Sequence, residues 1–131
     1  MSRRNLGAGL RVLLLDDSPD AVDFERTLLE RYGFEVVTCL SLDDLADCPE
    51  GWTPHVVVSD VDLPDAVDTD VVVALSEHPT TKGAPVVLCS GLPIVELERI
   101  RDERGVAGCV SKSDNIRDLP QALADLVRPS A

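Results

Sequence analysis

Aromatic and cationic residues are both scarce in this chain of 131 residues. One Trp, one Tyr and two Phe argue against a β-sandwich, whose strands usually carry many aromatic side chains. Twelve Lys and Arg stand against 24 Asp and Glu, which gives a formal net charge of −12. Because nucleic acids are bound largely through Lys and Arg, direct binding of DNA or RNA is not expected. We expect the negative charge to serve solubility.

Metal-binding patterns of Cys and His, and long apolar runs, are missing as well. Cys39, Cys48, Cys89 and Cys109 show no CxxC spacing, and the two histidines stand apart from them. Zinc sites and disulfides are therefore not expected, whereas reduced and buried thiols are. No apolar stretch approaches the length of a membrane span. We predict a soluble, cytoplasmic protein that does not contact a membrane.

The chain does contain short apolar runs, rich in Val and Leu, that end on polar residues. The central run covers residues 56–59 and precedes Asp60, and similar runs precede Asp16, Ser90 and Lys112. Continuous apolar runs of this length are typical of strands that are covered on both faces of a parallel sheet. We predict strands at 12–15, 35–39, 56–59, 85–89 and 106–110.

Helical patterns separate these strands and include residues 19–32, 42–48, 71–75, 94–100 and 119–126. The first helix is predicted to begin with Ser18 as N-cap and Pro19 in the first position. Ser41 is the predicted cap of the second helix. The apolar face of the first helix is predicted to consist of Ala21, Phe24, Leu28 and Tyr32.

Alternation of five strands with five helices, (βα)₅, implies parallel strands and right-handed crossovers. The predicted fold is therefore α/β, a flavodoxin-like, doubly wound, five-stranded parallel sheet in the order 2-1-3-4-5. We predict a single domain over residues 11–128, preceded by a flexible leader at residues 1–10.

Several chemically distinct side chains follow the strands of this predicted sheet. Open α/β sheets place their ligand crevice at the carboxyl ends of the strands, so these side chains are expected to meet there. They are Asp16, Asp17, Asp60, Ser90 and Lys112. Clustered carboxylates repel one another unless a cation joins them, and oxygen ligands favour a hard divalent ion. We predict Mg²⁺, with Mn²⁺ as an alternative.

A phosphoryl-transfer site is the chemistry that this set of residues favours. An ionised Asp60 beside Mg²⁺ can attack a phosphoryl group and form an aspartyl phosphate. Mg²⁺ and Lys112 would neutralise the phosphoryl oxygens, and Ser90 would donate a hydrogen bond to one of them. Each residue alone could be a helix cap, a turn residue or a solvated charge. Their joint occurrence at four strand ends favours the functional interpretation.

With these residues the chain resembles the receiver domain of two-component response regulators over residues 11–127. The motifs that carry the resemblance are the Asp16-Asp17 pair, Asp60 in DVDLP, Ser90 in CSG and Lys112 in SKS. The resemblance implies a bacterial signalling phosphoprotein that accepts a phosphoryl group rather than a true enzyme, with at most self-phosphorylation and self-dephosphorylation. It also implies a histidine kinase or phosphotransfer protein as donor and a downstream protein as partner, and it leaves homodimer formation open.

The resemblance also implies individual roles. The metal ligands would be Asp16, Asp17, Asp60 and the backbone carbonyl of Asp62. Ser90, Lys112 and the backbone of Gly91 would contact the phosphoryl group, and Ser90 and Cys109 would occupy the switch positions.

Cys109 replaces the aromatic residue that the family commonly has at that position, and Ser113 replaces the usual Pro after the lysine. We therefore expect a buried, passive Cys109, and a partner-binding surface at residues 91–104 and 107–111.

Two other functions stay open at this point. The same fold could act as a binding module that is never phosphorylated. Alternatively, Asp60-Val61-Asp62 could be the DxD motif of a haloacid-dehalogenase-type phosphatase. The order of the motifs disfavours the phosphatase, because in that family the DxD strand comes early and the acidic pair last. Whether the chain is a stand-alone receiver or a piece of a longer regulator also stays open.

Overall fold

The computed structural model describes residues 5–61, 63 and 70–127. In this part of the chain, five strands alternate with helical segments. The strands are β1 (Arg11–Leu15), β2 (Glu35–Cys39), β3 (Val56–Ser59), β4 (Val86–Ser90) and β5 (Gly108–Ser111). The helices are α1 (Pro19–Glu30), α2 (Val71–Glu77), α3 (Ile94–Arg104) and α4 (Leu119–Val127), with 3₁₀ segments at Leu42–Asp47 and Ile116–Asp118. No helix in the described part of the chain has both the length and the apolar character needed to cross a membrane.

The strands form one parallel sheet in the order β2-β1-β3-β4-β5, which confirms the predicted topology. Leu15 is aligned with both Cys39 and Ser59, and Ser90 is aligned with Ser111. The carboxyl ends of neighbouring strands therefore lie side by side, and the residues that follow them share one edge.

Buried side chains cover both faces of the sheet. Val12 and Leu14 of β1 belong to a core shared with α1 and α4, whereas Leu13 and Leu15 belong to a core shared with α2 and the first 3₁₀ segment. Because successive side chains of a strand point to opposite faces, a strand covered on both sides must be apolar throughout. This is why the strands appear in the sequence as continuous apolar runs.

Helix α1 begins as predicted but packs through a different face. Ser18 Oγ accepts a hydrogen bond from the N–H of Ala21 at 3.3 Å, and Pro19 is the first helical residue. The predicted apolar face is wrong in part, because Phe24 is 48% exposed. The helix carries two overlapping stripes of largely apolar residues. The predicted stripe contains Phe24, whereas the stripe that is buried contains Val22, Glu25, Leu28 and Leu29.

The second predicted helix is a 3₁₀ segment, Leu42–Asp47, instead of an α-helix over residues 42–48. Pro49 favours an extended backbone at Cys48, which is observed and which ends the segment at Asp47. Short segments of this kind often adopt the tighter 3₁₀ conformation. Ser41 occupies the cap position but makes no side-chain capping hydrogen bond, so that part of the prediction is wrong. Instead, the carboxylate of Asp44 accepts from the N–H of Leu40 at 2.9 Å.

The remaining elements differ from the predictions only at their ends. Gly105 ends α3 with a φ of 68°, a left-handed conformation that favours glycine. The N–H of Val106 still closes that helix by donating to Arg101, so β5 begins later than predicted, at Gly108. Pro120 lies in the first turn of α4, where no intrahelical N–H donor is needed.

Residues of the predicted leader contact the folded core. Leu10 is buried, Leu6 packs against the same core, and the N–H of Gly7 donates to the carbonyl of Tyr32 at 2.7 Å. A side chain at Gly7 would overlap with the ring of the buried Phe34. Residues 6–10 thus pack with the domain, whereas the boundaries expected at residues 10 and 128 stay predictions.

We expect Gly7→Ala to lower the free energy of unfolding by about 1–3 kcal/mol, because the added methyl group overpacks the site against Phe34. The matched control is Gly83→Ala, where no atom lies within 4 Å of the added carbon. Urea unfolding followed by circular dichroism measures both. Equal stability of the two variants would show that residue 7 is not packed as described.

Candidate functional site

The backbone fixes three of the predicted site residues at the carboxyl edge of the sheet. Asp16, Asp60 and Lys112 each follow the last residue of a strand. Their N–H groups continue the parallel hydrogen-bond ladder by donating to the carbonyls of Cys39 (3.1 Å), Leu15 (2.9 Å) and Ser90 (2.7 Å), respectively. The three side chains consequently start from rigid positions at one edge.

Three carboxylates form a cluster there, as the sequence predicted. One oxygen atom each from Asp16, Asp17 and Asp60 lies within 4.8 Å of the other two. Asp16 is buried, Asp60 is half-buried and Asp17 is exposed. An all-oxygen set of ligands that is open to solvent on one side fits a hard ion such as Mg²⁺, which usually retains several water molecules. Asp62 lies outside the described residues, so its predicted carbonyl ligand stays a prediction.

Lys112 bridges two of these carboxylates. Its ammonium group donates to Oδ2 of Asp16 and lies 3.4 Å from Oδ2 of Asp60. Burial lowers the pKa of Lys112, but the hydrogen bond to Asp16 and the charge of Asp60 outweigh burial, so the pKa is raised. Lys112 therefore stays cationic at neutral pH. The other carboxylate oxygen of Asp16 accepts from the N–H of Ser18 at 2.9 Å.

Ser90 and Gly91 lie at the same edge and contact neighbouring loop groups. Ser90 is the last residue of β4, and its Oγ accepts from the N–H of Leu92 at 3.2 Å. The carbonyl of Gly91 lies 3.4 Å from the hydroxyl of Ser113, which donates to it. The predicted contacts of Ser90 and of the Gly91 backbone with a phosphoryl group stay predictions.

Cys109 lies on β5 but is half-buried, which corrects the expectation of a buried thiol there. β5 is an edge strand with a neighbouring strand on one side only, and α3, which carries Arg101 close to the thiol, packs against it. Burial raises the pKa of the Cys109 thiol. Its predicted place at the switch position stays a prediction.

Glu25 is a buried acid beneath the cluster that the sequence interpretation missed. It lies on the inner face of α1 with 3% of its surface exposed, and its carboxylate faces the thiol of Cys89 on β4. Burial raises the pKa of Glu25 to about 7, the charge of Lys112 opposes that shift, and the charge of Asp16 adds to it. Its helical spacing places it on the same face of α1 as Val22 and Leu29, but the competing stripe that contains Phe24 obscures that signal in the sequence.

Comparison with known proteins gives a family and a fold. Residues 12–124 match the family model of the response regulator receiver domain. No curated protein matches the sequence.

Solved structures are similar at low identity. A response regulator from Desulfuromonas acetoxidans has a TM-score of 0.76 at 20% identity, with 91% of this chain and 97% of that chain covered. Chemotaxis protein CheY4 of Vibrio cholerae has a TM-score of 0.72 at 24% identity, with 91% and 99% covered. A CheY-like receiver domain protein from Methanospirillum hungatei JF-1 has a TM-score of 0.69 at 22% identity, with 90% and 93% covered. At these identities the likeness shows the fold alone.

We expect Glu25 to make the stability of the metal-free protein depend on pH. Its folded-state pKa of about 7 lies above the ordinary value of 4.5, so the folded state binds the proton more tightly than the unfolded state. The corresponding stabilisation is present below pH 4.5 and is lost as the pH rises through about 7. As the pH rises from 5 to 8.5, the free energy of unfolding of Glu25→Gln should increase by about 2 kcal/mol relative to that of the wild type, because the glutamine has no proton to lose.

Urea unfolding without Mg²⁺ across that pH window measures the effect and avoids the pI of about 4.3. Glu30→Gln, at an exposed position of the same helix, is the matched control. Parallel pH profiles for the wild type and Glu25→Gln would contradict the assignment.

Proposed function

The chain belongs to the response regulator receiver domain family, and on that premise we propose that it accepts a phosphoryl group on Asp60 in a Mg²⁺-dependent reaction. The observation that carries this proposal is the geometry around Lys112. Its ammonium group contacts Asp60 and Asp16 at the edge where three carboxylates converge. A cation held beside the nucleophile is what the transfer of an anionic group requires.

Each residue has a defined task in this reaction. Asp16, Asp17 and Asp60 would hold Mg²⁺, which when bound supplies positive charge for the phosphoryl oxygens. A carboxylate oxygen of Asp60 attacks the phosphorus atom, and the bond from phosphorus to the donor breaks as the new P–O bond forms. Lys112, already charged, neutralises a phosphoryl oxygen without waiting for a proton.

Ser90 and the Gly91 backbone complete the proposed site from the β4 side. The Ser90 hydroxyl accepts from the N–H of Leu92, and this leaves its O–H able to donate. In the proposed reaction the side chain turns toward Asp60, donates to the phosphoryl group and gives up its contact with Leu92. This exchange of partners would favour a second conformation of the loop that follows β4 once the phosphoryl group is present. We propose that partners bind the surface of residues 91–104 and 107–111 and detect this change.

Receiver domains of this family interact with histidine kinases and downstream effectors and are signalling phosphoacceptors rather than enzymes. For this chain we propose a cytoplasmic location, a histidine kinase or phosphotransfer protein as donor, and an effector protein as partner. In a binding module that is never phosphorylated, Lys112 would be needed only to neutralise the buried Asp16. Its second contact, 3.4 Å from Oδ2 of Asp60, favours the phosphoacceptor.

We expect acetyl phosphate with Mg²⁺ to add one acid-labile phosphoryl group to the protein, because the cluster binds the metal and Asp60 is the nucleophile. Asp60→Asn should abolish the adduct in intact-mass spectrometry. Asp20→Asn, which changes an exposed aspartate of α1, should leave it unchanged. An adduct that persists in Asp60→Asn would overturn the assignment of Asp60. The absence of an adduct on the wild-type protein would favour the non-phosphorylated module.

Asp17 and Asp16 should contribute unequally to metal binding. Asp16 already contacts Lys112 and the N–H of Ser18, whereas Asp17 is exposed and nearer to solvent. We therefore propose that, of the two neighbouring aspartates, Asp17 is the direct metal ligand and Asp16 the more distant one. Asp17→Ala should weaken Mg²⁺ binding by more than about tenfold, and more than Asp16→Ala does.

Isothermal titration calorimetry or NMR should follow this binding. The fluorescence of Trp52 is unsuited, since its indole N–H donates to Glu35 at the amino end of β2, the opposite edge of the sheet. Equal losses in the two variants would show that the proposed order of the ligands is wrong.

A further inference from the structure

Two turns at the carboxyl edge are joined by side-chain hydrogen bonds that the proposed chemistry does not use. One is the β4–α3 turn, residues 90–94, and the other is the β5 exit, residues 111–115. Across the gap, Ser111 Oγ donates to the carbonyl of Leu92 at 2.7 Å, and the N–H of Ile94 donates to Asp114 Oδ2 at 2.8 Å. Both turns are thereby fixed relative to each other.

The bond from Ile94 to Asp114 is the side-chain cap of α3. Pro93 occupies the N-cap position of that helix and makes no capping hydrogen bond with its own side chain. The first turn of a helix leaves N–H groups that need acceptors, and a carboxylate is a favoured one. In this protein the acceptor comes from a distant part of the chain, 20 residues after Ile94.

Asp114 is in turn linked closely to the proposed phosphorylation site. It lies two residues after Lys112, whose N–H donates to the carbonyl of Ser90 at 2.7 Å. Its own N–H donates to Ser111 Oγ at 3.2 Å, and Ser111 is fully buried. The carboxylate that caps α3 therefore projects from a segment with a rigid anchor.

We propose that Asp114 is a positioning residue that holds the β4–α3 turn in its resting arrangement and so opposes the conformational change that accompanies phosphorylation. This inference rests on the proposed function. The Ser90 hydroxyl accepts from Leu92 within that turn, so a swing of Ser90 toward Asp60 removes one of the hydrogen bonds that order the turn. Asp114 and Ser111 hold Ile94 N–H and the Leu92 carbonyl, two backbone groups of the same turn, and so oppose its rearrangement.

Removing the cap should therefore make the activated arrangement easier to reach. Beryllofluoride with Mg²⁺ imitates a phosphoryl group on an aspartate, and its affinity reports the cost of the rearrangement. We expect Asp114→Ala to bind beryllofluoride about fivefold more tightly than the wild type, the equivalent of one helix cap. Asp114→Asn should bind like the wild type, because Asn also caps helices.

Controls separate this role from stability and from charge. Asp114 is exposed, so Asp114→Ala is expected to fold, and its urea unfolding is measured alongside. Asp118→Ala removes an equal charge from an exposed position of the neighbouring 3₁₀ segment and should leave the affinity unchanged. A residue that only stabilised α3 would lower the free energy of unfolding without raising the affinity for beryllofluoride.

Titration calorimetry with beryllofluoride and Mg²⁺ tests the proposal on the wild type, Asp114→Ala, Asp114→Asn and Asp118→Ala. Tighter binding by Asp114→Ala, with Asp114→Asn at the wild-type value, supports the proposal. Unchanged or weaker binding by Asp114→Ala overturns it, as does tight binding by Asp114→Asn, which would indicate a charge effect. If the wild type binds no beryllofluoride and accepts no phosphoryl group from acetyl phosphate, it is the proposed function that fails.

Discussion

The contacts of Lys112 with Asp16 and Asp60 hold the functional edge of this protein together. Parallel strands carry every residue that follows them to one edge, so the topology brings Asp16, Asp17 and Asp60 together whatever their mutual repulsion. Asp16 is 3% exposed, and a buried carboxylate without a partner costs several kcal/mol. The ammonium group that pairs with it is also the cation beside Asp60. The same ammonium group therefore neutralises the buried Asp16 and lies beside the proposed nucleophile, Asp60.

The field at this edge stays negative despite Lys112. Asp16, Asp17 and Asp60 outnumber one ammonium group, and Glu25 lies beneath them. Such an excess favours a divalent cation. Burial is the main cause of the raised pKa of Glu25, about 7; the charge of Lys112 opposes that shift, and the charges of Asp16 and Asp60 add to it. An acid at this depth is tolerated because protonation removes its charge.

The sheet and its edge were predictable because their signals are local. Short apolar runs that end on Asp16, Asp60, Ser90 and Lys112 determine which residues meet once the strands are parallel. The phase of α1 was not predictable, because two apolar stripes compete and only packing on the sheet exposes Phe24 and buries Glu25. The exposure of Cys109 depends on how much of an edge strand α3 covers. The cap that Asp114 provides joins turns distant in sequence, and no spacing rule indicates it.

The central claim is that Asp60 carries the phosphoryl group, and chemical trapping tests it most directly. Borohydride reduces an aspartyl phosphate to the corresponding alcohol, so a phosphorylated aspartate becomes homoserine. After treatment with acetyl phosphate and Mg²⁺ followed by borohydride, peptide mass spectrometry should find homoserine at position 60 and aspartate at positions 16 and 17. Homoserine at either of those two positions, with aspartate retained at position 60, would contradict the claim.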